Sequence, residues 1–226
     1  MLHSEEEPTL AEDLLLLLFQ PSSGTIAGEN TLYYALGGAV LADLALHDHV
    51  TVTQSFGTKL ETTSDRFPAD PSLRSAWDYI DEKPRRVQTV LAAIGPALRG
   101  PLLERLVDRG DLVRVDRKTL VVFTTKALQE GSNGRRAALL ASVREALVDG
   151  VEPTARVAAL AALISGSGTL PQFHREIPWD STVISRAKEF EQGNWGAGAA
   201  AEAVTRTVTA TIVSNAIVAA TVLPQQ

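Results

Sequence analysis

Leucine occupies every position from Leu14 to Leu18, and Phe19 extends the run. Upstream, Thr9 stands three residues ahead of Glu12, the spacing of a capping box, so Thr9–Phe19 predicts a helix buried on most sides. Pro21-Ser-Ser-Gly24 ends it. Leu32–Leu46 predicts a second apolar helix, with Gly37 and Gly38 where a neighbouring helix comes close. After the polar turn His47-Asp48-His49, Val50–Thr53 alternates as a strand that Lys59–Thr63 can pair with across Gly57.

Further along, Pro71–Ile80 predicts a short helix carrying Trp77, and Arg86–Ile94 another, with Gly95-Pro96 and Gly100-Pro101 as punctuation. Leu102–Arg109 is helical in pattern and Gly110 sits in C-cap position. Leu112–Val115 and Thr119–Phe123 then form a hairpin around the polar tip Asp116-Arg117-Lys118. The stretches LADLALHDHVTV and LLERLVDRGDLVRV align, which points either to an internal duplication or to one helix–turn–hairpin unit used twice. Arg135–Val148 and Glu152–Ile164 are helical, divided by Gly150 and with Pro153 in the first turn; Ser165–Pro178 is loop. Ser181–Glu191 is an amphipathic helix capped by Asp180, and the Ala/Val/Thr-rich Gly193–Val222 predicts a buried central helix from about Ala197. The fold expected is mainly α: a helical domain around a central hydrophobic helix, with two small β-hairpins. Residues 1–8 read as a flexible acidic N-terminus and 9–226 as a single domain.

Composition is that of a globular protein: 226 residues, 45% hydrophobic and 21% charged. The absence of cysteine excludes a disulfide framework and thiolate metal sites and fits a reducing compartment. Acidic residues precede Leu14–Phe19 where a signal peptide needs positive charge, so no export is expected. No stretch reaches the roughly 18 uninterrupted apolar residues of a membrane span, so any membrane association is peripheral.

Charge is distributed unevenly. The formal net charge is -6, yet Lys83–Arg144 holds 13 basic residues against 5 acidic ones. The remainder is correspondingly acidic, and the basic segment is the candidate surface for an anionic partner. Catalytic chemistry finds no foothold. His47 and His49 point to opposite faces in extended backbone with no third ligand fixed nearby, so no metal site is expected. A nucleophile elbow and a phosphate-binding loop are both absent, and Gly166-Ser-Gly168 lacks the lysine and preceding strand of a phosphate cradle. Asp78 and Asp81 share helical spacing without a group to tune them. No cofactor and no enzyme activity are expected.

Two binding readings are left. In one, Leu102–Phe123 is a winged-helix-like element on DNA, disfavoured by the net negative charge and the lack of a second basic helix. In the other, arginines gather an anionic lipid headgroup while Leu120, Val121, Val122 and Phe123 of the hairpin touch the bilayer boundary or a second copy of the chain.

Three blocks carry a family resemblance: Thr9–Leu18, Leu36-Gly-Gly-Ala-Val-Leu-Ala-Asp-Leu-Ala-Leu46 and Leu102-Leu-Glu-Arg-Leu-Val-Asp-Arg-Gly-Asp-Leu112. In order and spacing they resemble the Golgi phosphoprotein 3-like family, over about Thr9 to Val222. The resemblance implies a mostly helical domain with a projecting hairpin and no catalytic activity. Eukaryotic members bind phosphatidylinositol 4-phosphate and hold glycosyltransferases through short cytosolic tails. Of the four headgroup positions it implies, the tryptophan falls near Gly28 and two arginines on Gly37 and Pro96; only Arg99 keeps its type. The Ala/Val/Arg-rich composition is similar to the bacterial branch. The expectation is therefore a cytoplasmic, peripherally membrane-associated protein that binds anionic phospholipid through Arg99, with Arg85, Arg86, Arg105 and Arg109 as neighbours. Protein tails are the other partner class, and nucleic acid is not expected.

Overall fold

In a computed structural model of the chain, which describes residues 7–53, 58–63, 67–119, 123–194 and 210–218 (backbone alone at 117–119 and 123–126), the leucine-rich helix is innermost. This helix, α1 (Leu10–Leu18), buries all nine of its residues, Glu12 and Asp13 included. It starts as its sequence dictates. The Thr9 hydroxyl accepts the Glu12 amide at 3.2 Å and the Glu12 carboxylate accepts the Thr9 amide at 2.8 Å, a complete capping box.

Around α1 pack α2 (Leu32–Leu46), α4 (Val87–Asp108), α5 (Arg135–Arg144) and α6 (Ala155–Gly166), with α3 (Pro71–Asp81) on α2 and α4 and α7 (Ser181–Glu191) on α6. The central position expected for Gly193–Val222 thus belongs, among the described residues, to α1. Its five consecutive leucines leave no polar face, whereas the helix at 210–218 buries Ile212, Val213 and Ala216 and exposes Val218. Residues 195–209 and 219–222 of that stretch lie outside the described residues.

The two glycines of α2 are contact points. A Cβ on Gly37 would lie 3.0 Å from Leu91 Cδ2 of α4, and one on Gly38 would lie 2.7 Å from the Ala216 Cβ. Small residues here let two helices approach a third from both sides.

α4 corrects the reading of two short helices. It runs unbroken through Pro96 and Pro101. Both prolines lie on its solvent side, where water can satisfy the carbonyls they leave unpaired. Val90, Leu91, Leu98, Leu102 and Leu106 keep one continuous apolar stripe in the core, and its burial outweighs the local breakers. Gly95 fits against Tyr33, whose carbonyl oxygen would be 2.5 Å from a Cβ there.

Among the described residues the β structure is three antiparallel pieces. β3 (Val50–Thr53), β4 (Lys59–Thr62) and β5 (Arg85–Arg86) form one sheet; β6 (Leu112–Thr119) pairs with β7 (Phe123–Glu130); and β1 (Phe19–Gln20) pairs with β2 (Thr25–Ile26). The last pair and β5 were not expected, since two-residue ladders carry no periodicity. The β6–β7 hairpin is longer than predicted. Asp116 pairs with Lys126 and Thr119 with Phe123, so Asp116-Arg117-Lys118 lies within a strand and not at the tip. The connection between the strands, Leu120, Val121 and Val122, lies outside the described residues.

The aligned stretches do share a local structure. α2 and α4 each end in a residue of left-handed backbone, Asp48 at φ 56° and Gly110 at φ 75°, before turning into β3 and β6. α5 is prolonged by a π turn over Glu145–Asp149 and capped off by Gly150 at φ 77°. α6 begins at Ala155, later than predicted, because the Thr154 side chain caps it and leaves Pro153 outside. A 3-10 turn at Leu170–Phe173 interrupts the expected loop.

Candidate functional site

The first turn of α1 brings two carboxylates into the core, and arginines from three other helices surround them. Arg105 of α4 donates to Glu12 at 3.0 Å and lies 2.6 Å from Asp70, the N-cap of α3. Arg109 stands 3.3 Å from the second Glu12 oxygen, which has no hydrogen bond and so takes only charge from it. Arg135 of α5 bridges Asp13 to the buried Asp111. Arg156 of α6 donates to Asp13 at 2.9 Å and to the Pro8 carbonyl at 2.5 Å. Asp43 of α2 completes the ring by accepting the Leu10 amide at 2.7 Å. Buried carboxylates persist only when paired and hydrogen-bonded, and here each is.

This network changes what the basic segment is. Arg105, Arg109 and Arg135 neutralise carboxylates that lie outside the segment's own sequence or beneath its surface. Arg136 likewise turns inward, donating from Nε to the Phe19 carbonyl at 3.0 Å. Burial pushes the Asp70 carboxyl up, and the bonds from Ser72, the Leu73 amide and Arg105 outweigh it, holding it below the ordinary carboxylate range.

Arg85 and Arg86 diverge. Arg85 stacks over Tyr79, its Cζ 3.8 Å from the ring centre, and donates to Glu82 and the Tyr79 carbonyl. Arg86, on the edge strand β5, is exposed, and among the described residues it has no carboxylate partner. About 20 Å of helix separates it from Arg99, at 1.5 Å per residue. The structure does not gather the predicted arginines into one patch.

Arg99 is the one that projects. It makes a two-pronged ion pair with Glu29 of the loop ahead of α2, Nη2 to Oε1 at 2.7 Å and Nε to Oε2 at 3.2 Å. Both side chains are about half exposed, at 48% and 47%. One turn back on the same helix face, Gly95 abuts Tyr33, whose ring lies 4.1 Å from that of Tyr34. Burial, and then the hydrogen bond with Tyr34, push the Tyr33 hydroxyl up to about 12. Arg99 thus lies one helical turn from the residue that packs on Tyr33. Sequence reading missed the tyrosines, although Tyr33-Tyr34 at the start of an apolar helix was visible.

Within this frame, the sequence model of the Golgi phosphoprotein 3 (GPP34) family matches residues 10–207. The chain belongs to that family. No curated protein matches it. For a Golgi phosphoprotein 3 family member, two of the four positions where the resemblance expects headgroup-binding side chains are glycines packed against other elements. Gly28 has φ 68°, and a Cβ there would meet Thr169 Cγ2 at 2.6 Å. Gly37 faces Leu91 across the α2–α4 contact, and Pro96 lies on the open side of α4. Arg99 alone retains a side chain able to fork onto an oxyanion.

Two cavities adjoin these elements. A cleft of about 770 Å³ between α3 and α4 is lined by Ile94, Leu98, Leu102 and Tyr79, with Asp78 and Glu82 among its polar groups. A smaller one of about 220 Å³ holds His47, His49, Asp43, Asp70 and Arg156. The His47 ring nitrogen Nδ1 lies 3.3 Å from the Asp43 carboxylate, and that bond raises its pKa to about 9. Among the described residues no group of three or more His, Cys, Asp or Glu side chains is placed to hold a metal.

Proposed function

We propose that the protein docks reversibly on membranes by binding anionic phospholipid headgroups, with Arg99 as the cation that exchanges its partner. The observation that carries this is the exposed, two-pronged Arg99–Glu29 pair. An exposed ion pair contributes only ~0–1 kcal/mol, so a phosphate group can take the place of the Glu29 carboxylate at little cost. The planar guanidinium that fits two carboxylate oxygens fits two phosphate oxygens equally.

Other features support the same reading. Tyr33 and Tyr34 offer rings that sit well where apolar and wet regions meet. No helix among the described residues is long and apolar enough to cross a membrane, so docking is peripheral in this reading. Membership of the Golgi phosphoprotein 3 family is consistent with it. Phosphatidylinositol 4-phosphate is one candidate lipid, but three of the four positions implied for its recognition lack the side chains. The proposal is therefore for anionic headgroups as a class, each basic contact contributing about 1 kcal/mol near a charged surface.

A second reading has one observation behind it. The α3–α4 cleft has an apolar floor, a match for an apolar protein tail, while its carboxylates Asp78 and Glu82 are paired with Arg74 and Arg85, and Arg105 also lines it. An adaptor would use both surfaces.

Sedimentation with vesicles tests the primary proposal. The full chain is expected to pellet with phosphatidylglycerol-containing vesicles and to be released by salt, and to stay in the supernatant with phosphatidylcholine alone. Equal pelleting on both, or none on either, overturns it.

A further inference from the structure

Where α1 ends, a second set of donors converges, unrelated to Arg99. The helix runs out at Leu18 inside the protein, and its last carbonyls need partners. The Ala27 amide takes the Leu18 carbonyl at 2.8 Å, and Arg136 of α5 takes two neighbours, with Nε on the Phe19 carbonyl at 3.0 Å and Nη2 on that of Leu17 at 3.5 Å. Those bonds fix the guanidinium, whose side chain is only 12% exposed, in the wall of a cavity of about 320 Å³.

The other walls are built from different parts of the chain. Gln20 comes from β1 and Ser22 from the turn after it, while Gln172, His174 and Arg175 come from the 3-10 turn and the residues that follow. The cavity wall therefore has two arginines and a histidine against one carboxylate, Glu176, with Glu130 a further carboxylate 3.9 Å from Arg136 Nη1. Gln20 adds a specific demand. Its Nε2 is sealed from solvent and has no acceptor among the described residues. That donor lacks its hydrogen bond, and the side chain has to turn toward the cavity to offer it to a carboxylate or phosphate oxygen, which carries no hydrogen to conflict with it.

The surroundings bear on what brings the anion. Four residues beyond Arg175 the chain exposes Trp179, 49% accessible. On the other side, the Gly24 turn rests on β7, where a Cβ on Gly24 would come 2.9 Å from the Leu128 carbonyl oxygen. An exposed indole close in the chain to the cavity's residues is the kind of side chain that sits at a membrane interface.

We infer that this cavity binds a phosphate group, held by Arg136 and Arg175 with Gln20 and His174 as further donors. The phosphate belongs either to a lipid headgroup or to a free phosphorylated compound. The inference does not rest on Arg99.

Inorganic phosphate is the first probe, titrated into the full chain at constant ionic strength while the Arg136 Nε–H, Gln20 side-chain amide and Arg175 backbone amide are followed by NMR. Saturable shifts at these groups are expected. They should weaken about tenfold in Arg175→Glu, as one charge-assisted contact is lost, and persist in Arg144→Glu, whose guanidinium serves Asp149. Shifts that merely follow chloride at equal ionic strength, or that survive Arg175→Glu undiminished, overturn the inference. Vesicles containing phosphatidylglycerol then separate the sources. Reduced pelleting of Arg175→Glu with a shift of the Trp179 indole N–H identifies a headgroup. Pelleting equal to that of the unaltered chain, with phosphate titration intact, identifies a soluble phosphate compound.

Discussion

Arg105 Nη2 lies 3.0 Å from an oxygen of Glu12, and that same oxygen accepts the Thr9 amide at 2.8 Å. One fully buried carboxylate therefore both starts α1 and ties it to α4. Capping and ion pairing usually act on different residues; here a single side chain serves both, so its loss should be felt in two places.

Removal of Glu12 is accordingly the most damaging change expected at a single position in the core. Glu12→Ala leaves Arg109 without its Glu12 partner and Arg105 with Asp70 alone, a loss of up to about 3–5 kcal/mol, the cost of breaking a buried pair. A lowered denaturation midpoint in urea, at unchanged slope, checks this. A variant with the stability of the unaltered chain would show that the buried pair contributes nothing net.

The α2 contacts set a second expectation. Gly38 has the Ala216 Cβ at 2.7 Å and Leu163 Cδ2 at 3.1 Å from where a Cβ would be. Gly38→Val must push α6 or the 210–218 helix away, and a loss of about 1–3 kcal/mol follows from overpacking. Gly100→Ala, where no atom lies within 4 Å, should instead be neutral or slightly stabilising in the same melt.

Titration of His47 makes stability depend on pH in one direction. Its folded pKa, raised to about 9 chiefly by Asp43, exceeds the ordinary 6.5. The imidazolium contribution is then fully present below pH 6.5 and is lost as pH rises through 9. Thermal melts should fall gradually over that window, and His47→Asn should flatten the slope there. The ring is half exposed, so the effect is modest.

Several features were legible in the sequence for physical reasons that can be named. The capping box at Thr9, the boundaries of α2 and the Asp180 cap are local signals, decided by residues within one turn. α4 was not legible as one helix, because its continuity through Pro96 and Pro101 depends on a core stripe contributed by distant elements. The short strands β1, β2 and β5 exist only through their partners.

The site divides along the same line. Arg99 is half exposed, and its partner Glu29 stands seventy residues away, where no spacing rule links them. Arg105 and Arg109 were grouped with it on charge alone. A clue to their inward role was available: Glu12 and Asp13 open a helix predicted to be buried on most sides, and buried carboxylates require cations. Leu120, Val121 and Val122 of the expected contact hairpin, with the Phe123 side chain, lie outside the described residues.

The most direct measurement of the central claim uses two variants with opposite expected signs, Arg99→Glu and Glu29→Ala, sedimented with phosphatidylglycerol vesicles. If Arg99 exchanges Glu29 for a headgroup, Arg99→Glu should weaken binding by about fivefold or more, the worth of one basic contact at a charged surface. Glu29→Ala, which frees the guanidinium, should strengthen it. Both variants binding like the unaltered chain, or both shifting in the same direction, would contradict the account.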